Sequence, residues 1–350
     1  MPYFKIYIIV FITFVYVSII HSEDLNENIP YDFYGFNEAY YSCQDLKIDL
    51  HRSRATIYYI LEPRKCKFNT KHNLVVFIPG WPDMIPDVYY FWLEHLVKRG
   101  NMVLFATYLP FRNSQRYSDI VYSEVIQALN ILKNKNVDFE HIAITGHSSG
   151  GDIALNVASK MSLNNLPKVK AIMPVEPGNG SYIKEHHLIP LATGFELENL
   201  NYLDDNTLML IVLGSSSTEN FLTNATNIYN LTENIPNVNK NIIMFNTVKN
   251  GTFELRANHF FPTSWGLIPG IGIGENDLPL FFDFIDFIDA DFNLFRVDIF
   301  DYKLWYLFDS LMDAAFYNTN GNDVLNGTDK QRYIGNWPDG TEIEKLSVIK

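Results

Sequence analysis

Cysteine is scarce: two residues, Cys43 and Cys66, in a chain of 350. Neither sits in a redox or zinc-ligand pattern, and two cysteines build no structural zinc site without histidines at fixed spacing. Positive charge is also short, with 27 Lys and Arg against 40 Asp and Glu and a net charge of −13 at pH 7. This balance argues against a nucleic-acid partner, whose phosphates need a basic surface, and against broad electrostatic docking on anionic membranes. Charged residues of either sign make up only 19%, which excludes a disordered or coiled-coil composition. There is no internal repeat and no long linker. What remains is 47% hydrophobic, ample for one large α/β core.

Met1 to Ser22 reads as a secretory signal. Lys5 is its only charge, Ile6 to Ile20 is an uninterrupted uncharged run, and His21-Ser22-Glu23-Asp24 turns polar. The run is too short for a spanning helix, which needs about 20 residues; a signal anchor is the competing reading. Five Asn-x-Ser/Thr acceptors follow, at Asn179, Asn224, Asn230, Asn250 and Asn326. Beside a signal they point to the secretory pathway, as lumenal or secreted protein. In that oxidising compartment Cys43 and Cys66, which flank an antiparallel strand pair, are expected to join; the alternative is two separate buried thiols.

The chain is organised around Ile142-Ala143-Ile144-Thr145-Gly146-His147-Ser148-Ser149-Gly150-Gly151. A short apolar strand leads into Gly-x-Ser-x-Gly, and helical periodicity through Ile153, Ala154, Val157, Ala158 and Met161 leads out. Strand, sharp turn and helix is the context of a nucleophile elbow, in which a strained serine presents its hydroxyl. Gly146 and Gly150 supply the space that bulky neighbours would fill. The plainer alternative is a Gly/Ser turn capping a helix.

Around this elbow, strands are expected at 45–50, 55–62, 74–78, 102–109, 141–145, 169–175, 207–213 and 241–248, the last being the final strand. Helices are expected at 87–99, 118–134, 151–161, 219–231 and 298–316. Apolar strands alternating with helices predict a mostly parallel central sheet covered on both faces. The domain plan is a signal (1–22), one α/β domain (23–317) with inserts at 178–205 and 261–295, and a polar, turn-rich tail (318–350). In the second insert Asp283, Asp286 and Asp289 form a solvated helix face rather than a calcium loop, which lacks its glycine and spacing here. That insert is either a lid over the site or packing on the domain edge.

A serine hydroxyl needs a base, the base an orienting carboxylate, and in this fold the chain order is Ser, acid, His. Of nine histidines only His259 follows the last expected strand. His147 lies inside the motif. His186-His187 is an adjacent pair whose rings would point apart, so no metal site is expected. Glu176, at the end of the strand after the elbow helix, is the first choice of acid. Glu219, one strand later but set off by Gly214-Ser215-Ser216-Ser217-Thr218, is the alternative. Asp204 and Asp205 precede their strand and belong at the other end of the sheet. The oxyanion donors are expected at the backbone N–H of Ser149 and of Trp81, in the loop after Ile78. The elbow, Gly80-Trp81, Glu176 and His259 all follow strands, so they converge on one edge of the sheet.

From Asp45 to Phe316 the chain resembles the α/β-hydrolase superfamily. Val75-Val76-Phe77-Ile78-Pro79-Gly80-Trp81 and the elbow are similar to the branch of chlorophyllases, platelet-activating-factor acetylhydrolases and cutinase-like polyester hydrolases. Ala257-Asn258-His259-Phe260-Phe261-Pro262 is similar to the histidine loop of the polyester hydrolases, and Glu176-Pro177 to the Asp-Pro of chlorophyllases, with Glu for Asp. The resemblance implies a cofactor-free carboxylic ester hydrolase with Ser148 as nucleophile, acting on a small-molecule or lipid-like ester. An inactive binding protein of the same fold, and an acyltransferase using the same residues, are the alternatives.

Overall fold

The computed structural model describes residues 39–53, 57–68, 71–81, 85–108, 116–178, 196–217, 219–264 and 297–350. The signal segment, Asn179, His186-His187 and residues 265–295 of the second insert lie outside the described residues.

Strands β1 (Cys43–Arg52) and β2 (Ile57–Cys66) form an antiparallel pair in which Cys43 lies opposite Cys66. The expected disulfide joins the two. Then come β3 (His72–Ile78), α1 (Tyr90–Lys98), β4 (Met102–Ala106), α2 (Tyr117–Leu132), β5 (Val137–His147) and α3 (Ser149–Leu163). The chain continues through β6 (Val169–Val175), β7 (Leu208–Gly214), α4 (Glu219–Leu231) and β8 (Lys240–Phe245). A short hairpin, β9 (Val248–Asn250) and β10 (Phe253–Leu255), leads to α5 (Ile299–Tyr317), α6 (Asp329–Arg332) and β11 (Ser347–Val348).

Nine strands among the described residues make one sheet in the order β1-β2-β4-β3-β5-β6-β7-β8-β11. The run from β4 to β8 is parallel; β1, β2 and β11 are antiparallel to their neighbours. The central strands are apolar on both faces because both faces are covered. Along β3, Val75 and Phe77 join the core beneath α1 and α5, while Leu74, Val76 and Ile78 join the core beneath α2, α3 and α4. This alternation fixes the register, since a one-residue slip would exchange the two faces. At α5, Asp298 caps the helix: its carboxylate accepts from Phe300 N–H, and its own N–H donates to Asp301.

Three expectations need correction. The segment 241–248 is not one final strand: β8 stops at Phe245, and Val248 opens the hairpin with β10. Residues 318–350 are not a tail outside the domain. Ile334, Ile343 and Leu346 are buried in the α1/α5 core, and β11 extends the sheet beside β8. Their irregular spacing carries no period from which either element could be read. Third, the helix expected at 87–99 begins with a 3₁₀ turn, Pro86–Tyr89, and becomes α-helical only at Tyr90.

Replacing Cys43 and Cys66 together by serine removes a link across 23 residues. The expected cost is about 3 kcal/mol, measured as a lower urea midpoint. An unchanged midpoint would mean that strand pairing alone sets the stability of this edge.

Candidate active site

Strand β5 ends at His147 and α3 begins at Ser149, so Ser148 alone makes the turn. Its backbone is left-handed, φ 54° and ψ −128°, a conformation costing on the order of 1–3 kcal/mol for a non-glycine residue. The surroundings enforce it. Ser148 N–H donates to Val175 O at 2.9 Å, and Ser148 O accepts from Gly151 N–H at 2.9 Å and Gly178 N–H at 3.2 Å. A Cβ on Gly146 would lie 2.2 Å from the Gly150 carbonyl oxygen, and one on Gly150 only 2.3 Å from the Ile78 oxygen. Both positions require glycine for contact, not for φ.

The structure brings Ser148, His259 and Glu176 together. His259 Nε2 lies 2.9 Å from Ser148 Oγ, and His259 Nδ1 lies 3.2 Å from Glu176 Oε2. When Glu176 is ionised its carboxylate can only accept, so Nδ1 carries the proton and Nε2 is left to accept from the serine hydroxyl. Glu176 is fully buried just past β6, in a left-handed turn with φ 50°. Its N–H donates to Val212 O at 2.8 Å, and its carboxylate also accepts from Gly214 N–H and Ser217 Oγ–H. Phe221 on α4 stacks on the His259 ring, centroids 4.4 Å apart. Glu219, the alternative acid, is exposed at the first position of α4; the carboxylate facing His259 is that of Glu176. Asp204 lies ahead of β7 and pairs with Lys168, at the opposite end of the strand.

Burial sets the electrostatics. It lowers the His259 pKa to about 3, which keeps the ring neutral. It raises Glu176 to about 8, against the pull of the Ser217 and Gly214 donors. In both groups burial is the largest cause of the shift, and in both it disfavours the charged form.

Ser149 is the first residue of α3, where backbone N–H groups have no intrahelical partner. Trp81 is partly buried, and its N–H donates to Ser149 Oγ at 3.2 Å. Tyr108 Oη donates to Pro79 O at 2.9 Å and lies 2.7 Å from Ser149 Oγ, so Ser149 O–H donates to Tyr108. Gly80 N–H donates to Tyr89 Oη at 3.0 Å. Side chains thus hold the loop after β3 at three successive residues. Sequence reasoning missed Tyr89, Tyr108, His147 and Ser217. Ser217 belongs to the Gly214–Thr218 run, whose Gly/Ser composition reads as a spacer.

Of the expected glycosylation acceptors, Asn224 is buried. It is 5% exposed, and its amide nitrogen, where a glycan would attach, donates to Asp152 at 2.9 Å and to Pro177 O at 3.0 Å. Asn230 and Asn326 are exposed, and Asn250 is partly exposed with its amide on Asp339 and Thr341. Among the described residues no three of His, Cys, Asp and Glu form a metal-holding group, and no helix is long and apolar enough to cross a membrane.

A family model described as alpha/beta hydrolase fold matches residues 114–202, the stretch holding α2, β5, the elbow, α3, β6 and Glu176. No curated protein matches the chain. The sheet order, the elbow and the family match agree: this is an α/β-hydrolase fold.

An imidazole proton donated to a buried carboxylate resonates far downfield. That signal, from His259 Nδ1–H, is expected in wild type and in Glu219→Gln, and is expected to vanish in Glu176→Gln. Loss in Glu219→Gln alone would reverse the assignment of the acid.

Proposed function

We propose that the chain is a secreted serine hydrolase that cleaves carboxylic esters through an acyl-enzyme. The observation that carries this reading is the run of contacts from Ser148 Oγ through His259 to Glu176, with the serine alone in a strained turn. Ser148 Oγ attacks the ester carbonyl carbon while its proton passes to His259 Nε2. Glu176 holds the ring in place and stabilises the imidazolium. The carbonyl oxygen, now an oxyanion, takes the N–H of Ser149. It also draws the N–H of Trp81 away from Ser149 Oγ, because a charged acceptor outcompetes a neutral hydroxyl. Each such donor is worth roughly 2.7–4 kcal/mol of barrier. The imidazolium proton then goes to the departing alcohol, and water reverses the sequence to free the acid. No step needs a cofactor.

Secretion is supported by the signal-like first 22 residues, the Cys43–Cys66 disulfide and the exposed acceptors Asn230 and Asn326. The Glu176-Pro177 and Ala257 to Pro262 runs support a place near the chlorophyllase, platelet-activating-factor acetylhydrolase and polyester hydrolase branch, and so a lipid-like or otherwise apolar ester.

Two measurements test this. A fluorophosphonate probe is expected to label the purified wild type and to fail on Ser148→Ala and His259→Ala, with ester turnover lost by roughly 10⁴-fold or more in Ser148→Ala. Undiminished labelling of Ser148→Ala would refute the nucleophile, and an unlabelled, inactive wild type would favour a binding protein. The second is the pH profile. The base works only with His259 neutral and Glu176 ionised, so one proton on either partner silences the pair. The kcat/KM value is therefore expected to fall along a single limb as pH drops, set by the first proton taken up, that of Glu176, which burial raises to about 8. A rate that rises on acidification would contradict the pair.

A further inference from the structure

His147 precedes the nucleophile and is 1% exposed. Its Nε2 lies 2.7 Å from the backbone oxygen of His259. A carbonyl can only accept, so Nε2 carries the proton and Nδ1 must accept. Tyr89 Oη, 2.8 Å from Nδ1, is the donor that fills it. The same Tyr89 oxygen accepts from Gly80 N–H at 3.0 Å. The bonds therefore have one direction: Gly80 N–H to Tyr89, Tyr89 O–H to His147 Nδ1, and His147 Nε2–H to the His259 carbonyl. One end is the loop that carries the oxyanion donor of Trp81. The other is the backbone of the base.

We propose that His147 and Tyr89 are positioning residues that fix the oxyanion loop and the base loop to one another across the elbow. The proposal rests on reading Ser148 and His259 as nucleophile and base.

Two further observations support it. The assembly has no slack: a Cβ on Gly80 would lie 3.0 Å from His147 Nδ1 and 3.2 Å from Ser148 Cβ. The direction of the bonds is also locked. Burial, helped by the nearby His259, holds the His147 pKa well below its ordinary value, so the ring stays neutral and Nδ1 stays an acceptor. A protonated ring would present two donors and turn Tyr89 away. Successive hydrogen bonds of this kind reinforce one another, so a disturbance at either loop is transmitted to the other. Ser148 lies between them and needs both in place at the same instant.

Tyr89→Phe is the decisive variant, because the ring keeps its packing against Phe77 and Phe105 while the hydroxyl is lost. On p-nitrophenyl acetate, kcat is expected to fall roughly 10- to 100-fold with KM within about twofold, the penalty of a misplaced constellation. His147→Gln is expected to lose a similar factor, and the double variant no more than the worse single one, because the two act as one unit. A purely structural role would leave kcat within about twofold at temperatures well below melting, or give losses that multiply in the double variant; either result overturns the proposal. A second readout does not depend on turnover. With ¹⁵N-labelled histidine, wild type is expected to show His147 as the neutral Nε2–H tautomer, and Tyr89→Phe to move the ring signals of His259. If wild type cleaves no ester, the functional reading fails, and the network is judged on these signals alone. His259 signals that stay put in Tyr89→Phe overturn it.

Discussion

The site depends on one backbone contact. Gly146 lies so close to the Gly150 carbonyl that it could carry no Cβ, and Gly150 lies so close to the carbonyls of Ile78 and Pro79 that it could carry none either. This contact closes the turn at Ser148 and presses the first turn of α3 against the end of β3. The loop that follows β3 therefore starts at a fixed distance from Ser148. The strain at Ser148 is offset by the parallel register of β3, β5 and β6 on either side, whose bonds a relaxed turn would have to break.

From that fixed point the remaining groups are placed by burial and hydrogen bonding. Glu176 leaves β6 through a left-handed turn anchored to β7, and the donors of Gly214 and Ser217 aim its carboxylate at His259. His259 is held by its ring, between Phe221 and Glu176, and by its backbone, through His147. Exclusion of water strengthens each of these contacts and keeps the imidazole neutral at rest. The cost is a buried carboxylate held against its tendency to protonate.

Much of this was legible in the amino-acid order. The central strands are continuous apolar runs, and Val169–Val175 was bounded correctly because charge and proline flank it. Ser148, Glu176 and His259 follow from strand ends and chain order. The edges were less legible. Val137 to Glu140, with two acidic residues, does not look like a strand, yet it extends β5 beside His72 and Asn73 through a register shift. The closing residues hide Ile334, Ile343 and Leu346 among polar turns. Asn224 reads as a surface acceptor by its motif alone. Its spacing with Phe221, Ala225 and Ile228 puts it on the buried stripe of α4, and that signal was present in the sequence. His147 and the two tyrosine hydroxyls could not have been found, because their roles depend on contacts 58, 112 and 41 residues apart in the chain.

The most direct test of the central claim is a crystal structure of the chain after reaction with an alkyl phosphonate. The account expects phosphorus on Ser148 Oγ, with the phosphonyl oxygen bonded to the N–H of Ser149 and of Trp81 and the Trp81–Ser149 side-chain bond broken. It expects His259 Nε2 to remain within hydrogen-bond reach of the adduct. A phosphonyl oxygen turned toward solvent, or phosphorus on any residue but Ser148, would contradict it.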